Sequence, residues 1–400
     1  MNLRSGYPYS LIKNGLVNNY PKLEKNYSTD VAILGGGISG ALTAHYLTHQ
    51  NIPCVIVDAR SIGLGSTCAS TSLLQYEIDT PLHKLSAIAG EKNAVRSYRL
   101  CKEAIDKLLI IADKIGFTDI QKKKSLYYAA AKKDVVDLKK EYAVREKHGF
   151  RVIYMEGDEV FKRTGIVAPA AILSADAAQT DAYMFTHFLH QYNLKRGLEV
   201  YDRTSVAAIH HKRNGVQLIT ETGYTIKAKK LVYATGYEVV QYINKPILKL
   251  KSTYATISEI LSIERPFWKN DMLIWNTADP YLYMRTTPDN RILIGGRDED
   301  FYSPSKRDVL LVKKKKQLTA DFEKKFPSIN FIPEFSWSGT FGSTKDGLPY
   351  IGNYKKLPHS YFALGFGGNG IIFSQIAAEL IKEQIIGRNN VDAKLFAFDR

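Results

Sequence analysis

The 400-residue sequence predicts an α/β protein built on a Rossmann-like nucleotide-binding unit, with its domains interleaved rather than serial. Three observations predict it. A strand, glycine loop, helix and second strand follow one another from Asp30 to Asp58. Near the C-terminus a second glycine loop opens a helix, with no strand after it to complete a second unit. Between the two lie short strands and turn signals, with no repeat and no low-complexity linker.

In the first unit, Val31-Ala32-Ile33-Leu34 is the apolar run of a strand buried on both faces. It meets Gly35-Gly36-Gly37-Ile38-Ser39-Gly40, a G-x-G-x-x-G turn of the Rossmann-like kind. Gly35 permits the tight turn, Gly37 permits backbone to approach a pyrophosphate, and Gly40 permits helix and strand to pack closely. The helix opening at Ile38 and Ser39 offers free N–H groups and a partial positive charge to phosphate. Pro53 to Val57 is the second apolar strand, ending in Asp58 with Ala59 beside it. Asp58 lies 58 − 37 = 21 positions after Gly37, where an acid accepts hydrogen bonds from ribose hydroxyls and disfavours a 2′-phosphorylated cofactor.

The second glycine loop holds Gly365, Gly367 and Gly370, after the apolar strand Tyr361 to Leu364 and before a helix from Ile371 to Ile386. The chain ends at Arg400 without a second acid-terminated strand, so this is not a second dinucleotide site. A glycine loop at a helix N-terminus still suits an anion, such as the pyrimidine end of a reduced flavin. One FAD gripped at both ends satisfies both loops, its diphosphate near Gly37 and its isoalloxazine near Gly367, Gly368, Asn369, Gly370 and Ile371.

The intervening elements are read as follows. Glu199 to Tyr201 and Val206 to Ile209 are short strands around a turn at Asp202-Arg203. Gln217 to Thr220 and Tyr224 to Lys227 form a hairpin over Glu221-Thr222-Gly223, and Leu231 to Gly236 is an apolar strand closing on Ala-Thr-Gly. Thr253 to Leu261 and Arg291 to Gly295 belong to another sheet, with Asp289-Asn290 as the turn before the second. Val95 to Lys114 and Val309 to Phe326 are amphipathic helices.

Composition narrows the class further. Hydrophobic residues make up 45% and charged residues 24%, which excludes a disordered, collagen-like or disulfide-stapled chain. The formal charge is 55 − 40 = +15, much of it in runs at Lys122 to Lys124, Lys132-Lys133, Lys139-Lys140 and Lys313 to Lys316. No nucleic-acid motif accompanies these lysines, so they read as solvated helix faces, with nucleic acid or anionic lipid held in reserve. Cys54, Cys68 and Cys101 have no C-x-x-C spacing; neither a disulfide framework nor a metal site is expected, and a reducing compartment fits. Met1 to Lys25 has no apolar stretch of signal-peptide type. The 18 uncharged residues from Tyr361 to Ala378 carry too many glycines for a spanning helix, so a soluble, cytoplasmic protein is expected.

Further motifs sit in order along the chain: Gly63-x-Gly65-Ser66-Thr67-x-Ala69-Ser70, Thr180-Asp181-Ala182-Tyr183, Ala234-Thr235-Gly236, Asn290 to Gly296, and Trp337-Ser338-Gly339 followed by Thr344-Lys345-Asp346-Gly347-x-Pro349. With the two glycine loops, this order resembles the FAD-dependent D-amino acid oxidase (DAO) superfamily, of DAO/glutathione-reductase-2 type. Within it the chain is most similar to the branch of glycine oxidase, sarcosine oxidase and γ-glutamylputrescine oxidase, over nearly its whole length. The resemblance implies oxidation of a C–N bond of an amine or amino acid, by hydride transfer to flavin N5, imine hydrolysis and reoxidation by dioxygen or another acceptor. It also implies a discontinuous FAD-binding domain over 1–90, 170–245 and 335–400, interleaved with an α+β mixed-sheet substrate or cap domain over 91–169 and 246–334, and it implies that Ser66, Thr67, Ala234, Gly236 and Asp346 belong to the FAD site. Val206 resembles the residue whose backbone meets the adenine, and Tyr281 a tyrosine lining the substrate face.

Three departures from the family follow. Phe341 stands where glycine oxidases carry the arginine that clamps a substrate carboxylate, a contact worth roughly 1.5–3 kcal/mol. A simple amino acid is therefore a poorer substrate unless Arg285 reaches in from another strand. No cysteine follows Cys101 and Ala69 replaces a linking histidine, so non-covalent FAD is expected, with Cys68 the first suspect otherwise. Leu293 falls near the oxygen-activating lysine of sarcosine oxidases, which leaves the acceptor open. Two alternatives stand beside amine oxidation: a tRNA-modifying FAD oxidase acting on a secondary amine, and a non-catalytic flavin-binding protein.

Overall fold

The apolar runs of the sequence become the inner strands of two sheets. The computed structural model describes residues 1–243, 245–264 and 266–400. The first sheet has eight strands, along the order Tyr350–Tyr354, Leu357–Leu364, Thr225–Tyr233, Tyr27–Leu34, Cys54–Val57 and Glu199–Tyr201. Its centre is parallel: Ile33 pairs with both Val232 and Ile56, and Val232 with Tyr361. Such strands need cover on both faces, which explains why Val55, Ile56 and Val57 have no exposed surface. The helices Ile38–Thr48, Gly370–Ile385, Glu91–Lys114 and Ala182–Leu194 share one core with this sheet. Gly215–Thr220 and Val206–Lys212 add an antiparallel edge. Tyr224 to Lys227 and Leu231 to Gly236, read as separate, are one strand, Thr225–Tyr233. Between them Lys229 points outward to Asp30 at 2.7 Å while the backbone ladder with Tyr27–Leu34 runs on.

The second sheet has ten strands. Its order is Arg4–Gly6, Pro333–Ser343, Lys249–Ser258, Ile292–Glu299, Tyr283–Thr286, Leu273–Asn276, Ile120–Tyr128, Ala170–Thr180 and Leu73–Gln75, with Val152–Glu156 also on Ala170–Thr180. Pro304–Lys325 covers it through Leu318 and Phe322, which pack with Trp268, Phe326 and Phe331.

Sheet membership does not follow the order of the chain. Arg4–Gly6, Leu73–Gln75, Ala170–Thr180 and all but the first two residues of Pro333–Ser343 fall in stretches expected in the nucleotide-binding domain, and they pair in the mixed sheet. Glu91–Lys114, assigned to the cap, packs instead in the core of the parallel sheet. The cause is long-range pairing, which local patterns do not carry: Trp337 lies opposite both Ala255 and Gly6. Ile292–Glu299 outruns the expected end at Gly295. Gly296 (φ +130) and Arg297 (φ 57) form a bulge, so that one extra residue fits between the pairs Ser252–Glu299 and Tyr254–Gly296.

Candidate cofactor and substrate cleft

The first glycine loop is too tight for any side chain. Gly35 has φ +108, and a β-carbon on Gly40 would stand 1.9 Å from the Gly35 carbonyl oxygen. Ile38–Thr48 therefore starts close over the end of Tyr27–Leu34, and Gly37, Ile38 and Ser39 line the cleft beyond it. Gly37 has a second reason to be glycine: a β-carbon there would meet Thr67 Oγ1 at 2.7 Å. That hydroxyl accepts the Ile38 N–H at 3.1 Å and ties the Ser66-Thr67 loop to the helix start. Beneath the turn, His190 Nε2 lies 2.9 Å from the Gly36 carbonyl; burial drops its imidazole to about 4, so it donates as a neutral ring.

Asp58 ends the strand Cys54–Val57 and lines the cleft with Ala59 and Arg60. Its Oδ2 accepts the Gly36 N–H at 2.8 Å and its Oδ1 the Arg60 N–H at 2.9 Å. Desolvation pushes its carboxyl up, and these two donors pull it back. Each oxygen keeps a further lone pair for a ribose hydroxyl. Val206, Ala234 and Gly236 line the same end. Ser66 Oγ and Thr235 Oγ1 also line the cleft and are buried without a hydrogen-bond partner. Buried hydroxyls without partners are costly, and the phosphates and ribose of a dinucleotide supply acceptors. On this evidence the cleft, about 490 Å³ in volume, fits FAD.

The second glycine loop stands at the far end of the same cleft. Ser39 Oγ and Ser374 Oγ lie 2.7 Å apart, joining the helices that follow the two loops. Gly367 takes φ +54, and the Tyr237 hydroxyl donates to its carbonyl at 3.1 Å. Asn369 Nδ2 donates to the Glu77 carbonyl at 2.6 Å. The Gly368 N–H is not free: it donates to Asp79 Oδ2 at 2.9 Å, while the Tyr281 hydroxyl donates to Oδ1 at 3.3 Å. Gly370 and Ile371 line the helix tip, and a β-carbon on Gly370 would meet no atom within 4 Å.

Beyond the helix tip the mixed sheet forms a second wall, lined by Thr253, Tyr281, Tyr283, Asp298, Gly339 and Phe341. Tyr281 and Phe341 line this wall. Arg285 does not: its side chain is 3% exposed, donates to the Thr71 carbonyl at 2.6 Å and the Thr286 carbonyl at 3.1 Å, and does not line the cleft. Alternation keeps Arg285 on the same face as Tyr283, but two residues further along the strand, where Tyr9, Asp119, Asp181 and Asp289 surround its charge away from the cleft. Asp346 also lies outside the cleft. It pairs with Arg400 at 3.0 Å and accepts the Leu348 N–H at 3.1 Å, so it secures the loop before Tyr350–Tyr354. Its conspicuous motif reports a turn rather than a contact.

Asp79 and Asp298 escaped the sequence reading. Asp298 hides in the run Arg297-Asp298-Glu299-Asp300, which has the pattern of a solvated charge cluster. Cys68 is buried, its thiol pushed up to about 11, and it points to the Gly65 carbonyl; Ala69 is the residue that lines the cleft. Leu293 is buried in a cluster with Tyr9 and Trp337. Lysines of the basic runs are engaged within the chain: Lys123 with Asp271, Lys139 with Glu156, Lys140 with Asp137 and Lys314 with Glu299. Among the described residues, no three His, Cys, Asp or Glu side chains gather as a metal site, and no helix is long and apolar enough to cross a membrane.

A parallel sheet with a phosphate cradle, facing a helix tip and a mixed-sheet wall, defines a dinucleotide-dependent oxidoreductase of the flavoprotein type. Residues 30–384 match the family described as FAD dependent oxidoreductase (DAO), and the chain belongs to that family. It is 24% identical over 381 residues to glycine oxidase of Bacillus subtilis (strain 168), covering 92% of this chain and 96% of that protein. It is 22% identical over 392 residues to gamma-glutamylputrescine oxidoreductase of Escherichia coli (strain K12), covering 92% and 86%. The crystal structure of glycine oxidase from Geobacillus kaustophilus superposes with a TM-score of 0.77 at 19% identity, covering 92% and 96%. The protein is thus an FAD-dependent oxidoreductase with a mixed α/β fold.

Proposed function

We propose that the protein oxidises a C–N bond of an amine or amino acid with non-covalently held FAD. The observation that carries the reading is the single cleft joining the phosphate cradle at Gly37, the helix tip at Gly370 and a tyrosine-rich wall at Tyr281 and Tyr283. Relatives bearing amine and amino-acid oxidoreductase names support it. Bound FAD supplies the two-electron acceptor: the substrate C–H bond breaks with loss of hydride, the nitrogen lone pair closes a C=N bond, the imine hydrolyses, and dioxygen or another acceptor restores the oxidised cofactor.

The residues of this chain bind, orient and exclude water. Ile38 and Ser39 at the helix start and the hydroxyls of Ser66 and Thr235 would hold phosphate and ribose, with Asp58 on the ribose. Gly370 and Ile371 would receive the pyrimidine edge at a positive helix end. Tyr281, Tyr283 and Phe341 would confine the substrate against the cofactor. Three free, buried cysteines fit a reducing compartment such as the cytoplasm.

The test is optical. Purified holoprotein should be yellow and should bleach anaerobically with a primary or secondary amine; bleaching with NAD(P)H alone would remove the reading. Acid precipitation should leave the flavin in the supernatant. Yellow precipitate would point to a covalent link, with Cys68 to be replaced first.

A further inference from the structure

Four charged side chains line the cleft among the described residues: Asp58, Arg60, Glu238 and Asp298. Three stand at the nucleotide end, where Arg60 forks onto Glu238 at 3.0 and 2.6 Å. The substrate wall therefore carries one charge, and it is negative. Asp298 reaches that wall through the bulge. Leu293 packs with Ala255 and Trp337, and Tyr283 pairs with and packs over Gly295, so alternation alone would bring Arg297 to this face next. The extra residue at Gly296-Arg297 shifts the alternation and turns Asp298 toward Thr253 and Tyr283.

Its neighbours are satisfied. Arg297 pairs with Asp321 at 2.5 Å, Glu299 with Lys314 at 2.5 Å, and Asp300 with Lys249 and Lys251 at 2.8 Å. Asp298 Oδ1 is buried and has no partner. Thr253 is within hydrogen-bonding reach of the carboxylate, Asp79 repels it, and Lys251 and Lys314 attract it from their own ion pairs. Neither lysine lines the cleft. A buried carboxylate oxygen left bare in a binding cleft is matched by a cation.

We infer that the substrate is an amine bearing a second, protonated nitrogen and no carboxylate, and that Asp298 binds that ammonium group. This rests on the C–N oxidation reading and names its substrate class. A nitrogen must be uncharged to release hydride from the adjacent carbon, because its lone pair forms the C=N bond. The cation at Asp298 is therefore a different nitrogen of the same molecule. Phe341 fits the same chemistry, since it leaves a substrate carboxylate without a guanidinium. The carboxyl of Asp298 is pushed up to about 6 by desolvation, so the ammonium contact weakens as pH falls below that value.

The experiment uses FAD-loaded protein and four probes: N-methylbutane-1,4-diamine, N-methylbutylamine, glycine and N-methylglycine. Anaerobic flavin reduction should favour the diamine over the monoamine by about 10- to 100-fold in kcat/KM. In Asp298→Asn that ratio should collapse toward one. Calorimetry should show the dissociation constant of butane-1,4-diamine rising by a similar factor in the variant, a readout independent of turnover. Should glycine or N-methylglycine reduce the flavin better than the diamine, or Asp298→Asn leave ratio and dissociation constant unchanged, the ammonium assignment is overturned while C–N oxidation stands. If no amine or amino acid reduces the flavin, both readings fall together.

Discussion

Gly40→Ala protein should purify colourless. The added β-carbon would lie 1.9 Å from the Gly35 carbonyl oxygen and 3.1 Å from its carbonyl carbon, both backbone atoms that cannot rotate away. Relief requires Ile38–Thr48 to lift from Tyr27–Leu34, which displaces the N–H groups of the phosphate cradle. Overpacking of this severity costs about 3 kcal/mol or more, so FAD affinity should fall at least about 100-fold. Absorbance of the purified protein and reconstitution with FAD measure it. Since this variant can also lose its fold, Gly370→Ala is the companion. A β-carbon there meets nothing within 4 Å in the protein, so thermal melting of FAD-free Gly370→Ala should match the parent. Its FAD affinity should nevertheless drop about tenfold or more if the helix tip faces the cofactor as proposed. Parent-like affinity would mean that the second glycine loop does not touch FAD.

The second large effect is a gain in stability at the expense of binding. With its carboxyl near 6 in the folded protein against an ordinary 3.8, Asp298 favours the protonated form on folding. The stability it contributes is therefore complete below the unfolded value and lost as pH rises through about 6. At pH 8 the bare carboxylate costs at most about 3 kcal/mol, less whatever water reaches it through the open cleft. Asp298→Asn removes the charge without changing the shape. FAD-free Asp298→Asn should melt roughly 2–5 °C above the parent at pH 8 and show no gain at pH 4. Equal melting at both pH values would show that the carboxylate already has a compensating partner.

The cofactor end of the cleft was legible because its requirements are local. Gly35 and Gly40 are demanded by turn geometry within a few residues, and Asp58 by its distance along the chain from Gly37. The late loop was legible for the same reason, although the donation of the Gly368 N–H to Asp79 was not, since Asp79 is remote in sequence. Arg285 and Asp346 misled in opposite ways. Arg285 shares a strand face with Tyr283 but binds the Thr71 and Thr286 carbonyls instead of lining the cleft, and Asp346 pairs with Arg400 in a turn outside it. Asp298 was invisible because a bulge changes which face a residue occupies without changing the residue types around it.

From the sequence alone came the expectation of a flavin cradle, of a two-ended grip on one cofactor and of the lack of a guanidinium at Phe341. These follow from backbone constraints and residue chemistry that act over a few positions. Which strands share a sheet, and which single charge lines the mixed-sheet wall, were decided only when Lys249–Ser258, Ile292–Glu299 and Pro333–Ser343 came into register. Strand register joins residues far apart in the chain, and a one-residue shift moves a side chain to the other face, so no local pattern records it.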